Sequence, residues 1–184
     1  MNQELIDRLK GKTLDDQKDV ELISTGCYAL NRIISGDYAK GLPVGRIVQL
    51  QGNSSTGKTL FATTFLAAAQ KAGWYTKMLD AENTFSKGFG TKLGIDPKGL
   101  LYSTPTNLEE AFEDVEKTVD EIRGFDKETP ILIAIDSVAV LPTREEMERD
   151  SIGEISNTDG ARRALIFGSL LRKISHKLEK NRTT

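Results

Sequence analysis

A chain of 184 residues, 38% hydrophobic and 28% charged, has room for one sizeable core and is too apolar for a disordered tail. Its net charge of −2 offers no general attraction to nucleic acid, so any such contact must come from local clustering. One cysteine, Cys27, excludes an internal disulfide and suits the cytosol, and one histidine, His176, excludes a histidine-built metal centre.

Residues 2–10 predict a short helical lead and residues 11–20 a polar loop. The opening Met1-Asn2-Gln3-Glu4-Leu5 lacks the basic-then-apolar pattern of a secretory signal, and no apolar run is long enough for a bilayer. Residues 20–23 read as a short strand. Ser24-Thr25-Gly26 then opens a segment with Leu30, Ile33 and Ile34 at helical spacing, and residues 36–45 form a Gly/Pro-containing loop. Residues 46–51 predict a strand that runs straight into a glycine-rich loop. Residues 60–72 are a helix rich in alanine and leucine. Residues 74–79 are a second core strand, with Trp74 at its start, ending at Asp80-Ala81-Glu82. Residues 86–93 predict a short helix. Asn107 is an N-cap for a long helix with Leu108, Ala111, Phe112, Val115, Val119 and Ile122 on one face and acids on the other. Residues 130–135 are continuously apolar and end in Asp136, the pattern of a parallel strand covered on both faces. Residues 142–159 are charged and irregular. A last helix covers about 160–180, with a stripe of Ala164, Leu165, Leu171, Ile174 and Leu178. Strands alternating with helices give an α/β fold with a mainly parallel sheet.

The most specific chemistry lies between the first of these strands and its helix. Gly52-Asn53-Ser54-Ser55-Thr56-Gly57-Lys58-Thr59 matches G-x-x-x-x-G-K-[ST] in full. The glycines let the backbone curl so that successive N–H groups face one centre and hold phosphate oxygens. The helix that follows points its positive end at the same place. Lys58 supplies charge to the β- and γ-phosphates, and Thr59 offers a hydroxyl to Mg²⁺.

Asp136 stands where a carboxylate at a strand tip reaches a magnesium shell. Ser137 beside it either supports the metal's water or starts a turn. Glu82 lies just past another strand at the same edge, where a carboxylate orients or deprotonates an attacking water; Asp80 competes for that role.

With these residues assembled, the chain resembles the RecA family of recombinases and its phage UvsX-like branch. The resemblance covers about residues 20–180 and rests on several segments. These are Ile23-Ser24-Thr25-Gly26 with Leu30, Gly41-Leu42-Pro43-Val44-Gly45-Arg46-Ile47-Val48, Leu79-Asp80-Ala81-Glu82, Lys92-Leu93-Gly94-Ile95-Asp96 and Ile135-Asp136-Ser137-Val138-Ala139. It implies a RecA-type P-loop NTPase core over residues 20–184, a mainly parallel sheet flanked by helices, with the C-terminal strands missing and a short N-terminal arm over 1–19. It implies ATP and Mg²⁺ as cofactors, contacted by Gly52, Asn53, Ser54, Ser55, Thr56, Gly57, Lys58, Thr59 and Leu60. Glu82 then resembles the general base, with Lys58 beside it in catalysis. Asp136 resembles the Walker-B aspartate, acting on Mg²⁺ through water. Phe89 falls where the family sets an aromatic against adenine, although the residue alone reads as core. Ser86 stands where the family often has an aspartate at the adenine edge, which implies looser base selectivity.

The same resemblance implies single-stranded DNA as a partner, through a loop like residues 147–160 and through Arg162, Arg163 and Arg172. From Asp159 onward seven Lys/Arg face only two acids, Asp159 and Glu179. By itself such a run also reads as a solvated basic helix face. Two functions follow as expectations. One is a recombinase ATPase that forms filaments on DNA and promotes strand exchange, present as an N-terminal fragment or split form beside a complementing C-terminal piece. The other is a nucleotide-binding module that joins or regulates filaments of an intact recombinase. A RecA-fold ATPase of another pathway is the third class, opposed by Asp80-Ala81-Glu82 and the adenine-side residues. No membrane association is expected.

Overall fold

The computed structural model describes residues 19–148 and 159–184, with Asp159 described by its backbone alone. The expected N-terminal arm and most of the expected DNA loop at 147–160 therefore lie outside the described residues.

The elements run β1 (Leu22–Ile23), α1 (Tyr28–Ser35), β2 (Leu42–Pro43), α2 (Lys58–Lys71), β3 (Tyr75–Asp80), α3 (Lys87–Lys92), β4 (Leu100–Ser103), α4 (Leu108–Phe125), β5 (Ile131–Asp136), α5 (Arg144–Met147) and α6 (Asp159–Lys180). A parallel sheet in the order β4-β3-β5 is the centre of the molecule, and β1 pairs antiparallel with β2 beside it. This is the α/β architecture expected from the alternation of strand and helix patterns.

The period of two along the strands distributes the core. Leu79 and Ile131 point to one face, where α4 supplies Leu108, Ala111, Phe112, Val115 and Val119, and α6 supplies Ile174 and Leu178. Met78 and Leu132 point to the other, against Phe65, Leu66 and Ala69 of α2 and Ile95. Both faces are covered, so the central strands read as near-continuous apolar runs. Helix α4 starts where Asn107 accepts a hydrogen bond from Glu110 N at 2.8 Å, an N-cap that satisfies an otherwise unpaired amide.

Four local features differ from the sequence reading. Residues 46–51 form no strand, and no backbone–backbone hydrogen bond joins them to a described residue. The last residues pair with β5 instead: Thr184 N donates to Ile131 O and Ile133 N to Thr184 O, at 2.9 and 2.7 Å. Thr184 Oγ1 then bridges to Pro43 O and Gly45 N, each at 3.0 Å, and reaches no further toward the phosphate loop. A strand needs partners for its amides, and this apolar run has none, so Ile47, Val48 and Leu50 stay exposed. Strand β4 had no expectation of its own; its pattern is short, and only pairing with β3 from Thr76↔Leu100 to Leu79↔Ser103 makes it a strand. Within the irregular stretch, Thr143 and Glu146 form a reciprocal capping box that starts α5. On α6, Leu165 is 71% exposed and Ala164 is also exposed; the inward stripe runs through Phe167, Leu170, Leu171, Ile174 and Leu178. Phe167 meets Phe112 edge-on at 6.0 Å, which fixes the helix phase two residues away from Leu165.

Among the described residues no helix is long and apolar enough to cross a membrane. Cys27 is half-buried, and Trp74 is partly buried against the α2 side of the sheet.

Candidate functional site

The site forms where α2 begins and where β3 and β5 end. Backbone geometry dictates the glycines of the loop. A Cβ on Gly52 would lie 2.7 Å from Thr56 Oγ1, and Gly57 has φ of 92°, in the left-handed region that favours glycine. No side chain caps α2 and no acid occupies its first turn, so its leading amides remain open to an anion. Thr56 Oγ1 donates to Asn53 O at 2.8 Å, which closes the loop on itself. The Lys58 ammonium folds back across the loop, donating to Gly52 O at 3.0 Å and Asn53 O at 2.8 Å. Ser54, Ser55 and Thr56 are exposed, and Leu60 is exposed on the first turn of α2.

Strand register brings the acids to this loop. Asp80 and Asp136 are directly paired across β3 and β5, so both strands end at the same level. Asp136 Oδ2 accepts from Thr59 Oγ1 at 2.5 Å, joining the end of β5 to the start of α2 over 77 residues of sequence. Two positions beyond Asp80, the exposed Glu82 carboxylate accepts from Ser137 Oγ at 3.0 Å. Ser137 starts the turn after β5, one of the two roles read from sequence, and its hydroxyl also holds Glu82.

Asp80 is oriented differently. It is 2% exposed, and its Oδ2 accepts from Phe85 N at 2.7 Å and from Tyr102 Oη at 2.8 Å. Burial pushes its carboxyl up, but the hydrogen bonds from Phe85 and Tyr102 and from the amides of Thr84 and Asn83 outweigh burial and hold it below the usual range. Ser86 caps α3 by accepting from Phe89 N at 3.2 Å. Phe89 is 38% exposed, so it is not a core residue.

The three arginines sit apart from this cluster, on α6. Arg162 is ion-paired to Glu145 at 2.5 Å, and Arg163 donates to Val138 O and Ala139 O at 2.9 and 2.8 Å. Arg172 is exposed and has no ion pair among the described residues. Much of the basic run is balanced within the fold: Lys173 and Lys177 pair with Glu116, Lys177 also with Asp120, and Arg182 with Glu21. The acidic face of α4 is the reason, a balance that residue counting along α6 alone cannot see. The Asp80–Tyr102 contact was equally out of reach, because Tyr102 sits on a strand with little sequence signal.

Comparison with known proteins bears on the same residues. The family model described as the RecA N-terminal domain matches residues 4–184. Similar curated relatives, each named protein RecA, include those of Bacteroides thetaiotaomicron, 36% identical over 92% of this chain, and Streptomyces venezuelae, 38% identical over 91%. That of Cytophaga hutchinsonii is 38% identical over 88%. The chain spans 48%, 41% and 42% of these three relatives' lengths.

Proposed function

This chain belongs to the RecA family, and on that premise we propose that it binds ATP with Mg²⁺ at residues 52–60 and forms the ATPase side of a DNA recombinase. The observation that carries the reading is the hydrogen bond from Thr59 to Asp136, which joins the phosphate loop to a strand-tip carboxylate at 2.5 Å. The two side chains are hard oxygen donors side by side, a set that suits Mg²⁺, an ion that keeps several of its own waters. Thr59 would hold the ion directly and Asp136 through water; when bound it neutralises charge on the phosphates. The amides of the loop and of the first turn of α2 face the phosphates, and Lys58 exchanges its two loop carbonyls for phosphate oxygens. Glu82, steered by Ser137, is the group that accepts a proton from the attacking water. Phe89 offers a ring face to the base, and Ser86 lines its edge with a hydroxyl instead of a carboxylate, which loosens base selectivity.

Single-stranded DNA is the macromolecular partner in this reading, and Arg172, exposed and without an ion pair among the described residues, is its first contact. Arg162 and Arg163 can join only by giving up Glu145 and two carbonyls. One observation favours the second reading, a nucleotide-binding module that joins or regulates filaments of an intact recombinase. Residues 46–51 are exposed and have no backbone ladder to any described residue. An unpaired apolar segment of this kind is a surface that an intact recombinase could cover.

Titrating the chain with ATP and Mg²⁺ tests the core of the reading. Lys58→Ala should weaken binding at least about a hundredfold, the loss of a charge-assisted phosphate contact. Glu82→Gln should retain binding and suppress turnover. Binding that is indifferent to Lys58 refutes the proposal, and turnover by this chain alone, stimulated by single-stranded DNA, excludes the module.

A further inference from the structure

The turn between β3 and α3, residues 81–86, carries Glu82 and Ser86 and leads into Phe89, yet most of it is exposed. Its first two residues are held from β5, Ala81 N by Asp136 O at 2.8 Å and Glu82 by Ser137, and the rest is gathered by one buried carboxylate. Asp80 collects the Phe85 amide, with those of Thr84 and Asn83 also directed toward it, and Asn83 takes a left-handed φ of 52° to let the backbone curl around that carboxylate. The carboxylate is itself aimed by a residue from the neighbouring strand. Tyr102 on β4 donates to the same oxygen at 2.8 Å, and its ring lies 6.2 Å from the ring of Phe85. The Phe85 ring in turn seats α3: a Cβ on Gly90 would stand 2.8 Å from Phe85 Cζ. Tyr102 therefore touches the turn twice, through its hydroxyl and through its ring, although 47% of the residue is exposed.

We propose that Tyr102 is a positioning residue for the nucleotide's base: by holding Asp80 it fixes the 81–86 turn, and with it the placement of Ser86 and Phe89. The inference rests on the ATP-binding reading above and deepens it by separating two parts of the site. The phosphate half, residues 52–59 with Asp136, is built from the start of α2 and the tip of β5 and shares no hydrogen bond with Tyr102. The base half depends on a turn whose order comes from the far edge of the sheet. Burial and the Asp80 carboxylate push the Tyr102 phenol up to about 12, so the hydroxyl stays a donor throughout the working pH range.

The experiment compares the full chain with Tyr102→Phe, Asp80→Asn and the double variant. Phenylalanine keeps the half-exposed ring and its contact with Phe85, so folding is retained. Two measurements are made: amide hydrogen exchange over residues 81–89, and competitive binding of ATP and of inorganic tripolyphosphate, both with Mg²⁺. Tyr102→Phe should speed exchange in the turn about tenfold and weaken ATP about tenfold, the scale of one hydrogen bond to a charged group, with tripolyphosphate affinity unchanged. In the Asp80→Asn background the same change should add nothing, because the pair acts as a unit. Unaltered exchange, additive effects, or ATP and tripolyphosphate weakening in step each overturn the assignment. A wild-type chain that binds neither ligand refutes the ATP reading and the base-positioning role with it, while the exchange measurement still decides whether Tyr102 orders the turn.

Discussion

The two flanks of the sheet start from similar apolar sequence and end in opposite states. On the β4 side, every polar group that enters the interior meets a partner. Lys77, buried within β3, donates to Asp114 at 2.7 Å and Thr118 at 2.8 Å, and Asp114 also accepts from Ser103 at 2.6 Å. On the β5 side, Ile47, Val48 and Leu50 belong to a run apolar enough for a core strand, but they face solvent with their backbone unladdered. Hydrophobicity selects what can be buried; hydrogen-bonded neighbours decide what is. The phosphate loop sits between these flanks, anchored firmly by α2 and the β5 tip and loosely by the segment that precedes it.

Three substitutions sharpen or break this contrast. The largest effect belongs to the packed side: Leu66, fully buried in α2, should cost about 4 kcal/mol as Leu66→Ala in chemical denaturation, through lost transfer energy and a cavity. Asp114→Ala strands the Lys77 ammonium and should cost about 3 kcal/mol at neutral pH. Burial pushes the Asp114 carboxyl up, but Lys77 and Ser103 hold it below the usual range. A depressed carboxylate stabilises the fold above its unfolded pKa, and that contribution fades as pH falls through the folded value. The gap between wild type and Asp114→Ala should therefore narrow in unfolding curves taken below about pH 4. The smallest effect is expected on the open flank. Ile47→Ser should shift stability by no more than about 0.5 kcal/mol in the isolated chain. A loss of several kcal/mol there would mean that the segment is packed in solution, and the contrast between the flanks would fail.

How far the sequence could be read depended on where the information lies. The phosphate loop was legible because its chemistry is local: eight consecutive residues specify the curl, the charge and the hydroxyl. Asp136 and Glu82 were legible because an apolar run ending in an acid marks a strand tip, and the tips of a parallel sheet share one edge. The N-cap at Asn107 and the buried face of α4 followed from local capping and from helical periodicity. Strand β4 and the phase of α6 were not legible. The first exists by pairing with β3, and the second is fixed by the meeting of Phe112 and Phe167.

The sequence by itself determined where the glycine-rich loop and the strand-tip acids lie and which face of α4 is buried, since those depend on spacing along one segment. Tertiary structure alone decided that Ser137 holds Glu82, that Tyr102 aims Asp80, that α4 pairs with Lys173 and Lys177 of the basic helix and that residues 46–51 have no ladder partner among the described residues. Each of these joins groups far apart in the chain, and a hydrogen bond or ion pair between distant residues is set by strand register and helix phase, which no local pattern encodes.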